Sequence, residues 1–538
     1  MQSRVQNSIR NTLWNVIQFF IAIVLSFVTR TFFVIYLGDV YLGLNSLFLN
    51  IVTILGFFEL GIGAAIVFSL YKPVAENNIE KINALVNLFK KVYLVISLII
   101  IVVGIAALPL IPLLIRDELS FNSNVVVIYL LFLLQSAIGY IFQYRRILFL
   151  VYQRNDIITK IRLVQTIVLN VGKILVIVFI QSFLFVVVVT VAVTLVDNLV
   201  IYFLSKKYYR NITGKQDSPL EKSEKKWIKD YTAAMVLHKI GGIVVLGIDN
   251  ILIVVLLSLV IAGHFSNYAL LIAAANSLIL TTIVAFRGSV GNLIAEKNPS
   301  QAYEIYKKLS FLQGLGVVFT TISFVVLFQP FIALWVGSAR QLDLLSVTLL
   351  CTVFFITNMR QVNLMFIDCA GLMRKSMLNP VFEVPLKLVA SLVLGFFLGL
   401  PGILLGTIIS AIFTVFWLEP RILYKEYFKN NHVWHYFISV AGYAALTIAL
   451  STIILFILHF IPFGNFGWFA LKMTLSFVIT IIVFLLIFHR HKHFKYCLNL
   501  AVGVLRRKKK TTMIENNTTD TGLEKSNEVI ELVKEEHI

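Results

Sequence analysis

Charge is what this sequence has least of. Asp, Glu, Lys and Arg make up 14% of its 538 residues, where a soluble domain carries roughly 25%. So few ionised groups cannot coat a water-facing surface of this size, and a string of soluble domains is excluded. Cysteine is scarce as well. Cys351, Cys369 and Cys497 lie far apart, in or beside apolar stretches, with neither the number nor the spacing of a disulfide framework or zinc site. A Walker A loop, an HExxH helix and a GxSxG elbow are all missing, which removes the common nucleotide-driven and hydrolytic machineries. His489, His491 and His493 read as part of a basic helix cap, so neither metal nor cofactor is expected. The alternating ten-residue strands of a membrane barrel are absent too.

What the chain has in abundance is long apolar runs. Apolar residues make up 59% and the mean hydropathy is +0.89. A hydrocarbon core of about 30 Å takes about 20 helical residues to cross. Helix is the expected form because lipid offers backbone N–H and C=O groups no partners. Spans are expected near 12–36, 41–70, 92–115, 125–150, 161–180, 183–204, 232–258, 265–290, 309–334, 344–368, 379–398, 401–418, 434–460 and 467–488. The first is too long for the apolar core of a signal peptide and is expected to remain.

The net charge of +19 would suggest nucleic acid in a soluble protein, but its distribution points to a membrane instead. Connections alternate between two classes. One is basic: Arg4 and Arg10; Lys72, Lys81, Lys90 and Lys91; Arg154, Lys160 and Arg162; the lysine-rich stretch 205–230; Lys297, Lys307 and Lys308; Arg374 and Lys375; Arg421, Lys425 and Lys429; and the tail from His489. The other is short and nearly free of lysine and arginine, with Arg116 and Arg340 as exceptions, each near an acid (Asp117, Asp343). The positive-inside rule places the basic class, and both termini, in the cytoplasm. The short external connections leave no home for catalytic residues, so a transporter is expected and not an enzyme.

Sliding the chain by 214 residues places Arg146 on Arg360, Lys160 on Arg374 and Lys173 on Lys387. The expected fold is therefore an all-α membrane protein of about fourteen transmembrane helices. Two parallel six-helix lobes, 1–210 and 231–428, would be joined by a cytoplasmic linker, 211–230. Two further helices would fill 429–495, and a basic then acidic tail, 496–538, would be mostly disordered. The lobes would enclose a central cavity.

Charges inside a bilayer cost about 2.5–3.5 kcal/mol or more and usually face a bundle interior or water. Arg145, Arg146, Lys239, Arg287 and Asp368 sit near the basic ends of their spans and can snorkel. Glu383 and Lys387, four residues apart, can pair with each other. Arg30, Lys173, Asp249, Arg360 and Lys387 lie deeper. Arg30 and Asp249, in the first helix of each lobe, are expected to form an interlobe salt bridge acting as an external gate. The remaining cations would make the cavity positive and suited to an anion. Glu59, Asp197 and Asp249 are candidates for coupling to a proton or cation, since a carboxyl in a low-dielectric cavity is more easily protonated.

Several stretches resemble bacterial polysaccharide flippases of the Wzx type. In the first lobe they are Arg30-Thr31-Phe32-Phe33-Val34-Ile35-Tyr36-Leu37-Gly38, Tyr41-Leu42-Gly43-Leu44-Asn45-Ser46-Leu47-Phe48, Glu59-Leu60-Gly61-Ile62-Gly63 and Leu70-Tyr71-Lys72-Pro73. In the second they are His238-Lys239-Ile240, Asp249-Asn250-Ile251-Leu252-Ile253, Ser266-Asn267-Tyr268, Gly291-Asn292-Leu293 and Gly402-Ile403-Leu404-Leu405-Gly406-Thr407. The resemblance implies the fold of the multidrug/oligosaccharidyl-lipid/polysaccharide (MOP) exporter superfamily. It also implies an undecaprenyl-diphosphate-linked oligosaccharide as substrate, flipped across the bacterial cytoplasmic membrane for capsule or cell-wall polysaccharide export. Arg30, Lys173, Arg360 and Lys387 would then hold the diphosphate or acidic sugars. Membrane lipid, a polysaccharide polymerase and assembly proteins would be the partners, with no nucleic acid. The competing readings are a multidrug exporter of the same fold, which needs an acidic cavity, and a membrane glycosyltransferase or polymerase, which needs a large external loop.

Overall fold

The computed structural model describes residues 4–59, 62–115, 123–212, 220, 226, 228, 247–296, 298–376, 379–429, 432–462 and 464–495. The expectations for Lys239, Arg116, Asp117 and the 496–538 tail lie outside the described residues. So do most of the linker and the first part of the span expected at 232–258.

The helices of nine or more residues run in the following order. The first group is α1 (Arg4–Tyr36), α2 (Asp39–Leu55), α3 (Ile62–Ala75), α4 (Ile79–Ala106), α5 (Ser123–Ile141), α6 (Gln143–Val151), α7 (Asn155–Phe179) and α8 (Phe183–Tyr208). Then come α9 (Gly247–Leu256), α10 (Leu259–Ala295), α11 (Pro299–Trp335), α12 (Leu344–Met359), α13 (Gln361–Cys369), α14 (Asn379–Leu398), α15 (Leu400–Phe413) and α16 (Val415–Leu423). The last two are α17 (Trp434–His459) and α18 (Phe466–Phe488).

Among the described residues twelve helical stretches are long and apolar enough to cross a membrane, and the chain is a multi-pass membrane protein. These twelve coincide with twelve of the expected spans. The span expected at 41–70 is instead two helices, α2 and α3, separated by a single tight turn at Gly56–Glu59. A carboxylate and several glycines at that point weaken a helix that lipid alone would favour.

Local chemistry sets the ends. Asn78, Ser258, Asn298, Asp343 and Asn465 each accept a backbone N–H at the start of α4, α10, α11, α12 and α18, satisfying a donor that the first helical turn leaves open. Gly38 joins α1 to α2 at φ 83° and Gly399 joins α14 to α15 at φ 66°, a region that side chains avoid. The turns at Gly38, Gly337 and Gly399 lie together at one end of the bundle, the closed end. Lys72, Arg154, Lys308 and Arg421 mark the opposite, basic end.

In the first group α1 packs on α7, α4 on α5, α5 on α8 and α7 on α8. In the second, α11 packs on α12, α12 on α15 and α14 on α15. Helices α17 and α18 both dock on α11, with Phe437 packed at a tilt on Trp417 of α16, ring centroids 4.4 Å apart. The main bridge between the groups is α2 against α10. On α10 it lies at the closed end, where seven of the first ten residues are buried against two of the remaining 27, and α2 continues along α9, where a Cβ on Gly247 would lie 3.1 Å from Ile54.

Small residues permit the closest approaches. A Cβ on Gly402 would lie 2.0 Å from the Leu394 carbonyl oxygen, whereas one on Gly442 would meet nothing within 4 Å. Gly402→Ala is therefore expected to destabilise the protein by about 3 kcal/mol, with Gly442→Ala neutral. Thermal unfolding of the two variants in detergent checks this.

Candidate functional site

Two regions of buried charge emerge, one in each group of helices. In the second group a cavity of about 620 Å³ is lined by Asp249, Asn250, Arg360, Glu383, Lys387, Thr407 and Glu419, with the apolar face of α10 along one side. Lys387, only 1% exposed, donates to Asp249 Oδ2 at 2.9 Å. The Thr407 hydroxyl donates to the same carboxylate at 3.2 Å. Arg360 sits at the break between α12 and α13. Its Nε donates to Glu419 Oε2 at 2.9 Å, its Nη2 engages the other Glu419 oxygen, and Glu383 lies 3.9 Å away. Three carboxylates thus face two cations.

The first group is built differently. Helices α1 and α7 are joined by Thr29 donating to Asn170 at 2.7 Å and Thr159 donating to Asn15 at 2.8 Å. Lys173, three residues beyond Asn170, shares its helix face and so points toward α1, within Coulombic reach of Arg30. No carboxylate among the described residues pairs with either cation. Arg30 instead donates to the Ser266 hydroxyl of α10, in the other group, at 3.0 Å. Nearer the basic end, Arg146 is paired with Asp197 at 2.5 Å. Glu59, beside the α2–α3 break, accepts from Tyr93 at 3.1 Å, and Tyr140 stacks on that phenol at 6.3 Å.

This arrangement corrects two expectations. Arg30 and Asp249 do not bridge the groups; Asp249 is committed to Lys387 and Thr407. The four cations do not line one chamber either. Arg360 and Lys387 are in the second-group cavity, already matched by acids, while Arg30 and Lys173 belong to the first group. The helix opposite each lysine makes the difference. Each lysine faces the first helix of its own group, which supplies an aspartate in one case and an arginine in the other.

The closed end holds residues that the sequence reading missed. Asp39, at the start of α2, receives Arg340 Nε at 2.7 and 2.9 Å, and His264 Nε2 lies 3.5 Å away. Arg340 also donates to the Val336 carbonyl at 2.6 Å. Trp335 Nε1 donates to Thr31 at 2.8 Å, and Phe27 packs on Trp335 with centroids 4.8 Å apart. Glycines let the backbones meet: a Cβ on Gly43 would lie 1.9 Å from the Leu259 carbonyl oxygen, and one on Gly263 would lie 2.4 Å from that of Asp39. Asp343 does not pair with Arg340 but caps α12. The available signal was Arg340 itself, a cation in a class of connections otherwise nearly free of them.

With this geometry the chain can be compared with known proteins. It superposes on an inward-facing multidrug resistance MATE family transporter of the MOP superfamily with a TM-score of 0.54 at 16% identity, covering 77% of this chain and 94% of that one. A substituted form of the Vibrio cholerae MATE transporter VcmN gives 0.56 at 12% identity, covering 81% and 100%. The fold is thus that of a MOP-superfamily transporter. The model of the family described as polysaccharide biosynthesis protein matches residues 8–286, and the chain belongs to that family. No curated protein sequence matches the chain.

Removing one partner of a buried ion pair strands the other, at a cost of about 3–5 kcal/mol. Asp249→Asn is expected to lower the unfolding temperature by that equivalent, and adding Lys387→Met should restore most of it. Thermal unfolding of the single and double variants tests the pairing.

Proposed function

We propose that this protein flips a polyprenyl-diphosphate-linked oligosaccharide repeat unit from the inner to the outer leaflet of a bacterial cytoplasmic membrane. The observation that carries this reading is Arg30 within Coulombic reach of Lys173, with no carboxylate among the described residues paired with either. Two half-buried like charges within a membrane span are costly to keep unless an anion or water completes the site, and a diphosphate has the charge to do so. The basic end would face the cytoplasm. The closed-end contacts, with α10 uncovered toward the basic end, suit a carrier open to the cytoplasm. Residues 1–210 and 231–428 would act as two lobes rocking against each other. The polyprenyl tail can stay in lipid while the glycan and diphosphate pass between them.

An inside-negative potential of 100 mV favours outward movement of a dianion by about 4–5 kcal/mol, so the field alone could bias the cycle. Of the coupling candidates, Asp197 and Asp249 are each held by a cation. Glu59 has no basic partner among the described residues and is the carboxyl we assign to coupling. A polymerase and assembly proteins would take the product onward.

A second reading, multidrug export, is favoured by the acidic excess of the second-group cavity, where three carboxylates oppose two cations. Proteoliposome assays separate the two. Labelled lipid-linked oligosaccharide should reach the far leaflet faster with the native protein, and Arg30→Gln or Lys173→Gln should slow it by about tenfold or more, the loss of one charge-assisted bond. Ethidium efflux with no acceleration of the glycolipid under any imposed gradient would replace the first reading by the second.

A further inference from the structure

The anion site and the closed end share one residue. Arg30 lies within Coulombic reach of Lys173 and donates to Ser266. Ser266 in turn donates to the Gly263 carbonyl at 2.7 Å. Gly263 is where the Asp39 backbone comes closest to α10, and the Asp39 carboxylate is the acceptor for Arg340 and His264. Two hydrogen bonds and one close backbone approach therefore link Arg30 to the contacts that hold the two groups of helices together.

We infer that Ser266 is a positioning residue that couples anion binding to opening of the closed end. In the resting protein the Arg30 guanidinium has a neutral hydroxyl as its acceptor from the opposite group. A phosphate oxygen is the stronger acceptor, since hydrogen bonds to ionised groups are roughly twice as strong as neutral ones. A diphosphate arriving between Arg30 and Lys173 would draw the guanidinium away from Ser266. That removes one bond from the closed end at the moment the site fills. The Thr31–Trp335 bond is one residue along the same helix from Arg30, so a shift of Arg30 that moves the end of α1 would strain it as well. The anion would thereby stabilise the state in which the groups part, as a transported ligand must if its binding is to shift the equilibrium.

This inference rests on the anion-carrying reading above, and the experiment keeps the two separable. Spin labels on Tyr36→Cys and Leu344→Cys, both exposed and at the closed end of opposite groups, report the opening by pulsed electron resonance. The full-length protein is used in lipid nanodiscs, with Cys351, Cys369 and Cys497 replaced. Farnesyl diphosphate is the probe, and its binding is measured in parallel by calorimetry. The native protein should shift toward the longer distance on adding the probe. Ser266→Ala should raise the open population about threefold or more without probe, from loss of one hydrogen bond, and should still bind the probe. Ser266→Thr, which keeps the hydroxyl, should match the native protein. Arg30→Gln should also open without probe but lose binding. If Ser266→Ala and Arg30→Gln both keep the native distance distribution, the coupling is overturned while the anion site stands. If the native protein binds the probe without any change in distance, the coupling is likewise overturned. If it does not bind the probe at all, the anion-carrying reading falls and this inference with it.

Discussion

The two groups of helices meet along α2, most tightly at the closed end, and the architecture depends on how that meeting is made. Asp39 collects a guanidinium and an imidazole from the other group, while Gly43 and Gly263 let backbone carbonyls approach within distances that any side chain would forbid. Polar contact and close packing reinforce each other here. The glycines bring α2 and α10 near enough for Arg340 to reach Asp39, and the ion pair holds that proximity against the tendency of two bundles to slide in lipid. Without a hydrophobic force between helices in a membrane, such packing and hydrogen bonding supply the association.

The second organising feature is the unequal treatment of repeat-related charges. Lys387 and Arg360 are each met by carboxylates on neighbouring helices of the same group. Arg146 is likewise met by Asp197. Lys173 and Arg30 alone among these deep cations have no such partner among the described residues. Lys387 has Asp249 opposite it on α9, whereas Lys173 faces α1, which carries Arg30. The second group thus holds its deep cations in ion pairs with an acid to spare, while the first leaves two cations without a carboxylate among the described residues. The break at Arg360, where α12 gives way to α13, orients the guanidinium toward α16 and seats it on Glu419.

How far the sequence alone could reach follows from what is local. Membrane spans are set by runs of about 20 residues, and twelve of the expected spans reappear as helices in place. The resemblance to polysaccharide flippases was carried by short stretches such as 30–38 and 402–407, and the family holds. Charge pairing is not local. Asp249 and Lys387 are 138 residues apart, and Asp39 and Arg340 are 301 apart. Hydropathy gives no means of choosing between Asp249 meeting Arg30 and Asp249 meeting Lys387. Asp39 was passed over because it sits at a helix end, where an acid looks like an ordinary solvent-facing turn residue. The interruption at Glu59 was hidden for the opposite reason, since an apolar run of adequate length conceals a turn of four residues.

The docking of α17 and α18 on α11, with Phe437 seated on Trp417, ties the last two helices mechanically to one group. Whatever tilting that group undergoes, this pair travels with it as a fixed outrigger. A fluorescent protein or a binding partner attached after α18 would therefore inherit the motion of a single half. It would report that motion without ever touching the path between the two.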